Sequence, residues 1–204
     1  MLAHIAQTFF DTVFPPTEDM LLVRGLTPDT FRALAHSRTH EGVGSLLSFR
    51  DARVRACIHE AKFHHSKKAI ELLGAVLAEY LSSLPQKPYV LIPIPLSAPR
   101  YRERGYNQVT EIIRAALPLI SGTLTLNETT LIRERNTKPQ TDLPKELRVA
   151  NVADAFGVRD STLLPNTHII LIDDVLTTGA TMSAAKAALL PHSSTPITRL
   201  TLAH

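Results

Sequence analysis

The sequence has almost no cysteine and no long apolar run. Cys57 is the single cysteine among 204 residues, so an intrachain disulfide framework and a four-cysteine zinc site are both excluded. The apolar stretches are far too short to cross a bilayer. Residues 1–14 also lack the basic region and the small-residue cleavage site of a signal peptide. We therefore expect a protein of the reducing cytoplasm that does not enter a membrane.

An excess of charge of one sign is also missing. The formal net charge is +3 at pH 7, and the sequence pI is near 9.2. Hydrophobic residues make up 44% and charged residues 20% of the chain, as in ordinary globular proteins, so disorder is not expected. The mild basicity suits a polyanionic ligand, either a phosphorylated metabolite or nucleic acid, and does not choose between them.

The first part of the chain has the apolar spacing of helices. Residues 1–14 carry a helical stripe that ends at two prolines, and the segment Thr27 to Asp29 is typical of a helix cap. A long helical signal follows from Val54 to Leu84, and prolines end it. We predict a small helical N-terminal segment, residues 1–48.

From Tyr89 onward, strands alternate with helices. Short apolar strands are predicted at Tyr89–Ile92, His168–Ile172 and Ile197–Leu202, and helices at about 107–117 and 177–190. Strands that are apolar on both faces and separated by helices favour a mainly parallel α/β sheet flanked by helices. We assign residues 49–204 to this α/β domain.

The segment 169–181 carries the strongest functional signal. A buried strand places Asp173 and Asp174 at its carboxyl end, where ligands bind in open α/β sheets. Residues 177–181 then open a helix and offer backbone N–H groups, hydroxyls and a helix dipole to an anion, while Gly179 permits close approach. Carboxylates beside such a cradle suit sugar hydroxyls and a hydrated Mg2+. The alternative is a strand end followed by an ordinary turn.

This segment resembles the phosphoribosyl pyrophosphate (PRPP) motif of type I phosphoribosyltransferases. The resemblance implies that both aspartates bind the ribose hydroxyls and that the loop wraps the 5′-phosphate. The expected ligand-binding residues are Asp173, Asp174, Val175, Leu176, Thr177, Thr178, Gly179, Ala180 and Thr181. Purine-salvage members usually carry aspartate where this chain has Thr177, which weakens a purine-salvage assignment.

A second block is similar to the ComF (competence protein F) branch of this fold. Ile92 to Leu96, followed by Arg100 and by Arg104 to Gln108, resembles that family's Pro-x-Pro-Leu…Arg-Gly-Phe-Asn-Gln pattern. The resemblance implies a loop that faces pyrophosphate, which arginine can bind through forked hydrogen bonds. The expected pyrophosphate-binding residues are Pro95, Leu96, Arg100 and Arg104. A solvated basic turn is the alternative.

A third block, from Arg133 to Phe156, resembles the family's Arg-x-x-x-Thr-x-x-Gln…Arg-x-x-Asn-x-x-x-Ala-Phe pattern. Related folds place a mobile catalytic lid here, which would exclude water and bring cations to the departing pyrophosphate. The resemblance implies that the catalytic residues are Asp173, Asp174, Arg133 and Lys138. A disordered surface loop is the alternative.

The zinc ribbon with which ComF-like proteins often begin is missing from this sequence. Thr17 and Met20 stand where the first cysteine pair would be, so no zinc is expected. His36 and His40 have helical i,i+4 spacing, which a polar helix face explains better than metal binding. The resemblance implies only Mg2+ that arrives with PRPP, with Asp173 and Asp174 as its nearest protein groups.

The resemblance implies a glycosyltransferase that moves the phosphoribosyl group to a nitrogen nucleophile and releases pyrophosphate. Positioning and charge stabilisation would then supply most of the catalysis. Two alternatives stay open: a competence-related module that binds single-stranded DNA, and a PRPP sensor without transfer activity. Aromatic residues, 5% of the chain, offer few platforms for base stacking. Competence or helicase proteins and a second copy of the chain are the expected protein partners.

Overall fold

A computed structural model describes residues 15–134, 155–160 and 167–204. Its strands are β1 (Arg38–His40), β2 (Val43–Leu47), β3 (Tyr89–Pro93), β4 (Leu124–Leu126), β5 (Leu131–Arg133), β6 (Phe156–Val158), β7 (His168–Val175) and β8 (Ile197–Ala203). Its α-helices are α1 (Glu18–Gly25), α2 (Pro28–Arg32), α3 (Ala52–Phe63), α4 (Lys67–Ser82), α5 (Ala98–Arg104), α6 (Gln108–Ala116) and α7 (Ala180–Leu189). Short 3-10 turns, Leu117–Leu119 and Leu190–His192, follow α6 and α7.

The main sheet has six strands in the order β1-β2-β8-β7-β3-β4. Only β1 and β2 are antiparallel neighbours, and every other neighbouring pair is parallel. β5 and β6 form a separate antiparallel pair. The predicted fold class, a mainly parallel α/β sheet flanked by helices, is therefore confirmed.

β7 lies inside the sheet and divides its side chains between two cores. Ile170 and Ile172 pack with α3, α4 and α6, whereas Ile169 and Leu171 pack with β5, β6 and α7. All four are at most 1% exposed. A strand buried on both faces needs such an unbroken apolar run, which is why this strand could be predicted from the sequence.

The long helical signal from Val54 to Leu84 is not one helix. α3 ends at the cap residue His64, and His65 then takes a positive φ of 49°. Ser66 caps the next helix by accepting a hydrogen bond from the N–H of Ala69. The predicted helical character is confirmed, but the break within it was not predicted, because the capping serine lies inside an otherwise unbroken apolar pattern.

The basic segment after β3 is a helix and not the predicted loop. Ser97 precedes α5, Pro99 lies in its first turn, and Gly105 ends it with a φ of 78°. A proline near the start and a left-handed glycine just after the end are the normal boundaries of a helix. The predicted helix from about Asn107 is confirmed as α6, which Asn107 caps through the N–H of Val109.

The predicted helical segment 1–48 contains two strands as well as α1 and α2. β1 and β2 are joined by a tight turn in which Glu41 and Gly42 have φ values of 50° and 73°. β2 then pairs in parallel with β8. The proposed boundary after residue 48 thus stays a prediction, although the sheet extends across it. Residues 1–14 lie outside the described residues.

None of the helices in the described ranges is long and apolar enough to cross a membrane.

Candidate functional site

Asp173 and Asp174 lie within β7 and not after it, and they point to opposite faces of the sheet. Side chains alternate along a strand, so Asp173 continues the face of Leu171 and Asp174 continues the face of Ile172. Asp173 Oδ1 accepts a hydrogen bond from the N–H of Asp174 at 2.9 Å. The N–H of Val175 donates to Asp174 Oδ1 at 2.7 Å. The two carboxylates therefore meet different surroundings.

Asp174 is held by a chain of polar contacts on the helical face. It is 6% exposed, and its Oδ2 accepts a hydrogen bond from Gln108 Nε2 at 2.7 Å. The same oxygen lies 3.2 Å from Lys62 Nζ. Gln108 Oε1 in turn accepts from Arg104 Nη1 at 2.8 Å. We call Lys62, Asp174, Gln108 and Arg104 the polar relay. It fixes Asp174 and leaves that carboxylate little capacity for a ligand.

Asp173 keeps some exposed surface and has fewer protein partners. Desolvation, followed by the negative charge of Asp174, raises the pKa of Asp173 to about 7. The N–H of Asp174 and the positive charges of Lys62 and Arg133 act in the opposite direction. Near neutral pH this carboxyl group can therefore either donate or accept a hydrogen bond. Of the two aspartates, Asp173 is the better placed to meet a ligand hydroxyl.

Arginines from α5 and β5 interact electrostatically with the aspartate pair. Burial lowers the pKa of Arg104, Asp174 opposes this shift, and Arg100 adds to it. Burial also lowers the pKa of Arg133, where Arg100 adds to the shift and Asp173 opposes it. The guanidinium carbon of Arg133 lies 5.4 Å from the Phe156 ring centroid. The predicted residues Arg100, Arg104 and Arg133 are therefore linked electrostatically to each other and, through Arg104 and Arg133, to the aspartate pair.

The segment after β3 borders the same site. β3 and β7 pair in parallel with Pro93 opposite Ile172, and the N–H of Ile94 donates to the Ile172 carbonyl at 2.8 Å. The predicted residues Pro95 and Leu96 are partly buried and follow directly. They therefore leave the sheet beside Asp173, where neighbouring parallel strands present their carboxyl ends.

The predicted phosphate loop leads into the N-terminus of α7. Leu176 anchors it, because its N–H donates to the Ala203 carbonyl at 2.9 Å, and Thr177 and Thr178 are exposed. Gly179 has a φ of 70° and is the cap residue, so it offers no capping side chain to α7. The only side-chain contact described at this end is a long one, 3.5 Å from the N–H of Ala180 to Thr178 Oγ1. Such a helix end suits an anion.

Three residues of this site were absent from the predicted set. Lys62 lies on α3, in a helical pattern that gave no functional signal. Gln108 stands inside the quoted Arg-Gly-Tyr-Asn-Gln block, so its pattern could have indicated a role. Glu41 Oε2 would lie 3.9 Å from a Cβ built on Gly179, so its carboxylate reaches the phosphate loop. The predicted catalytic residue Lys138 lies outside the described residues.

Curated proteins similar to this chain carry names linked to competence and DNA use. Competence protein ComFC of Streptococcus pneumoniae is 33% identical over 120 residues, which are 58% of this chain and 50% of that protein. ComFC of Bacillus subtilis is 35% identical over 124 residues, 59% of this chain and 48% of that protein. DNA utilization protein YhgH of Salmonella typhimurium is 30% identical over 145 residues, 69% of this chain and 62% of that protein. The resemblance to ComF proteins is thereby confirmed.

The chain spans about half the length of the ComFC proteins that it matches. No protein-family model matches it. Among solved structures, a hypoxanthine phosphoribosyltransferase of Staphylococcus aureus has a TM-score of 0.43 at 16% identity, covering 65% of this chain and 61% of that one. Adenine phosphoribosyltransferase of Leishmania tarentolae has a TM-score of 0.35 at 18% identity, covering 71% and 74% respectively. Likeness at this level carries no functional argument.

Proposed function

We propose that the chain binds PRPP with Mg2+ and transfers its phosphoribosyl group to a nitrogen nucleophile, with release of pyrophosphate. One observation carries this proposal. Asp173, a partly exposed carboxyl group, is followed after a short loop by the glycine-capped start of α7, and on its other side it interacts electrostatically with Arg133, which Arg100 also affects. This order matches a sugar with a phosphate at one end and a pyrophosphate at the other.

The contacts of these residues support a different role for each of them. Asp173 hydrogen-bonds to the ribose hydroxyls, while Asp174 is held by Lys62 and Gln108 and supports the end of β7. Residues 177–181 bind the 5′-phosphate through backbone N–H groups. The arginines of α5 and β5 bind the pyrophosphate and stabilise the charge that develops as it leaves. The predicted lid residue Lys138 would act on the same group.

The oxygen donors present fit Mg2+ that is carried by the pyrophosphate. Asp173 keeps exposed surface, and desolvation followed by the negative charge of Asp174 raises its pKa, so a nearby cation would favour its charged form. Asp174 suits the ion less well because its oxygens already accept hydrogen bonds. When bound, Mg2+ would neutralise pyrophosphate charge and make it a better leaving group.

Calorimetric titration with PRPP tests this proposal. The wild-type chain should bind PRPP more tightly with Mg2+ than without it, and Asp173→Asn should weaken binding by at least about tenfold, the loss of a charge-assisted hydrogen bond. Asp29→Asn, which alters an exposed aspartate of α2, should leave the affinity unchanged. Absence of PRPP binding to the wild type would refute the proposal. Binding without turnover on any nitrogen nucleophile would favour the sensor alternative.

The second candidate is a single-stranded DNA-binding module, which the names of the relatives favour. One structural observation supports it: α5 exposes Arg100, Tyr101 and Arg102 together, with Tyr101 54% exposed. An aromatic ring between cations can stack on a base while the cations contact phosphates. If this is the function, oligonucleotide binding should fall steeply with salt and be lost in Arg100→Ala/Tyr101→Ala. Salt-independent or absent binding would leave PRPP as the ligand.

A further inference from the structure

A cluster of metal-binding side chains lies at the carboxyl end of α3, apart from the aspartate site. It consists of His59, Glu60 and His64, and one potential ligand atom from each lies within 4.8 Å of the others. The Glu60 side chain is only 3% exposed, whereas those of His59 and His64 are 48% and 43% exposed. A buried carboxylate therefore underlies two imidazoles that solvent can reach.

Both imidazoles are oriented by carboxylates. His59 Nδ1 lies 3.1 Å from Asp19 Oδ2 in α1, and His64 Nδ1 lies 2.8 Å from Glu60 Oε1. An imidazole that donates from Nδ1 to a carboxylate presents the lone pair of Nε2 to other partners. Histidines that bind metals in proteins usually have their second nitrogen held in this way. The two rings meet edge to face, with centroids 5.6 Å apart.

We propose that His59, Glu60 and His64 bind a divalent transition-metal ion of the zinc type, with Asp19 orienting His59. Imidazole nitrogens with one carboxylate suit Zn2+ and its neighbours, while Mg2+ and Ca2+ prefer sites made of oxygen alone. The thiol of nearby Cys57 is fully buried and does not belong to the cluster of potential ligand atoms. The expectation that zinc is absent concerned a four-cysteine ribbon, and this site uses no cysteine.

The position of this cluster gives the ion a structural role. His64 is the cap residue of α3, at the break before α4, and it lies two residues after Lys62 of the polar relay. An ion held by His59 and His64 ties the last turn of α3 to its cap. It also draws Asp19 of α1 toward the same point through His59. Metal binding therefore stabilises the end of the helix that supports Asp174.

Titration of the 204-residue chain with Zn2+ after removal of metals by EDTA tests the site. The wild type should bind one equivalent by calorimetry, and the bound Co2+ analogue should give the visible absorption of a site with imidazole ligands. His59→Gln/His64→Gln should weaken Zn2+ binding by about 100-fold or more, and Asp19→Asn by about tenfold, as partners of metal-binding histidines do. The matched control His36→Gln/His40→Gln removes two other histidines and should keep the wild-type affinity.

Thermal unfolding provides a second measurement, in which each variant is compared with and without Zn2+, so that a lower intrinsic stability of a variant does not affect the comparison. Zn2+ should raise the unfolding midpoint of the wild type and of the control, but not that of His59→Gln/His64→Gln, because an ion stabilises only the state that binds it. The proposal is overturned if the wild type shows no saturable Zn2+ binding. It is also overturned if loss of the histidine pair leaves both the affinity and the midpoint shift unchanged.

Discussion

Replacement of Lys62 by methionine should destabilise the protein, because the buried carboxyl group of Asp174 would lose its cationic partner. Lys62 Nζ lies 3.2 Å from Asp174 Oδ2, and the side chains are 25% and 9% exposed. At an effective dielectric constant of about 20, two unit charges at this distance attract by ~5 kcal/mol. Desolvation of both groups offsets a large part of that attraction. We expect a net coupling of about 2 kcal/mol.

A double-mutant cycle measures this coupling directly. Urea unfolding at pH 7 would be followed for the wild type, Lys62→Met, Asp174→Asn and the double variant. The double variant should lose about 2 kcal/mol less stability than the sum of the two single losses, because each single variant leaves a buried polar group without its partner and the double variant does not. Lys62→Met preserves the length of the side chain, so loss of packing should contribute little.

The exposed pair Lys67 and Glu71 is the matched control. Its atoms are 3.7 Å apart, but the side chains are 90% and 58% exposed. Its coupling in the cycle Lys67→Met with Glu71→Gln should be about 0.3 kcal/mol. A coupling between Lys62 and Asp174 no larger than that of the control would refute the reasoning that burial strengthens the pair.

Two further predictions concern the edge of the ligand site. Because the raised pKa of Asp173 lets the folded state hold a proton that the unfolded state has released, its contribution to the free energy of unfolding falls as pH rises from about 4 to about 7. In urea unfolding, the free energy of unfolding of Asp173→Asn should therefore increase relative to that of the wild type by about 1 kcal/mol or more between about pH 4 and about pH 7. A difference between the two proteins that stays constant over this range would contradict the prediction. Glu41→Gln should tighten binding of ribose 5-phosphate by about two- to fivefold in calorimetry, because an exposed negative charge near Gly179 repels the phosphate; Glu18→Gln is the control, and unchanged affinity for both would count against this placement.

The elements that could be predicted from the sequence are those whose residues form one continuous apolar pattern along the chain. The predicted strands His168–Ile172 and Ile197–Leu202 match β7 and β8, which each extend slightly further. The extension matters for the site, because Asp173 pairs with Thr201 of β8 and is part of the ladder. Residue patterns locate an apolar strand well, but polar residues at its end give no sign that the pairing continues through them.

Contacts between distant parts of the chain could not be predicted. Lys62 and Asp174 meet only because α3 packs against the face of β7 that carries Asp174. A lone lysine on an amphipathic helix is typical of a solvated surface, so no pattern distinguishes this one. The same holds for Glu41, which lies in the turn between β1 and β2 and reaches Gly179 from there.

Other errors came from local signals that were present but not used. Ser97 and Gly105 are the first and last cap residues of a helix where a basic loop was predicted. Ser66 begins a new helix within a segment whose apolar pattern has no visible break. Glu41 and Gly42 form the kind of two-residue turn with positive φ that joins antiparallel strands. Capping serines and glycines therefore deserved more weight than apolar periodicity at these positions.

The position of β8 in the sheet also determines when the main sheet can be completed during synthesis. β8 lies between β2 and β7, although its residues follow those of both strands in the sequence. Until the ribosome releases residues 197–203, β2 and β7 each present an edge whose backbone groups have no partner in the main sheet. Such edges invite pairing with other chains, and contacts between distant segments form slowly. The main sheet therefore becomes continuous only when β8 inserts between two strands that were made earlier.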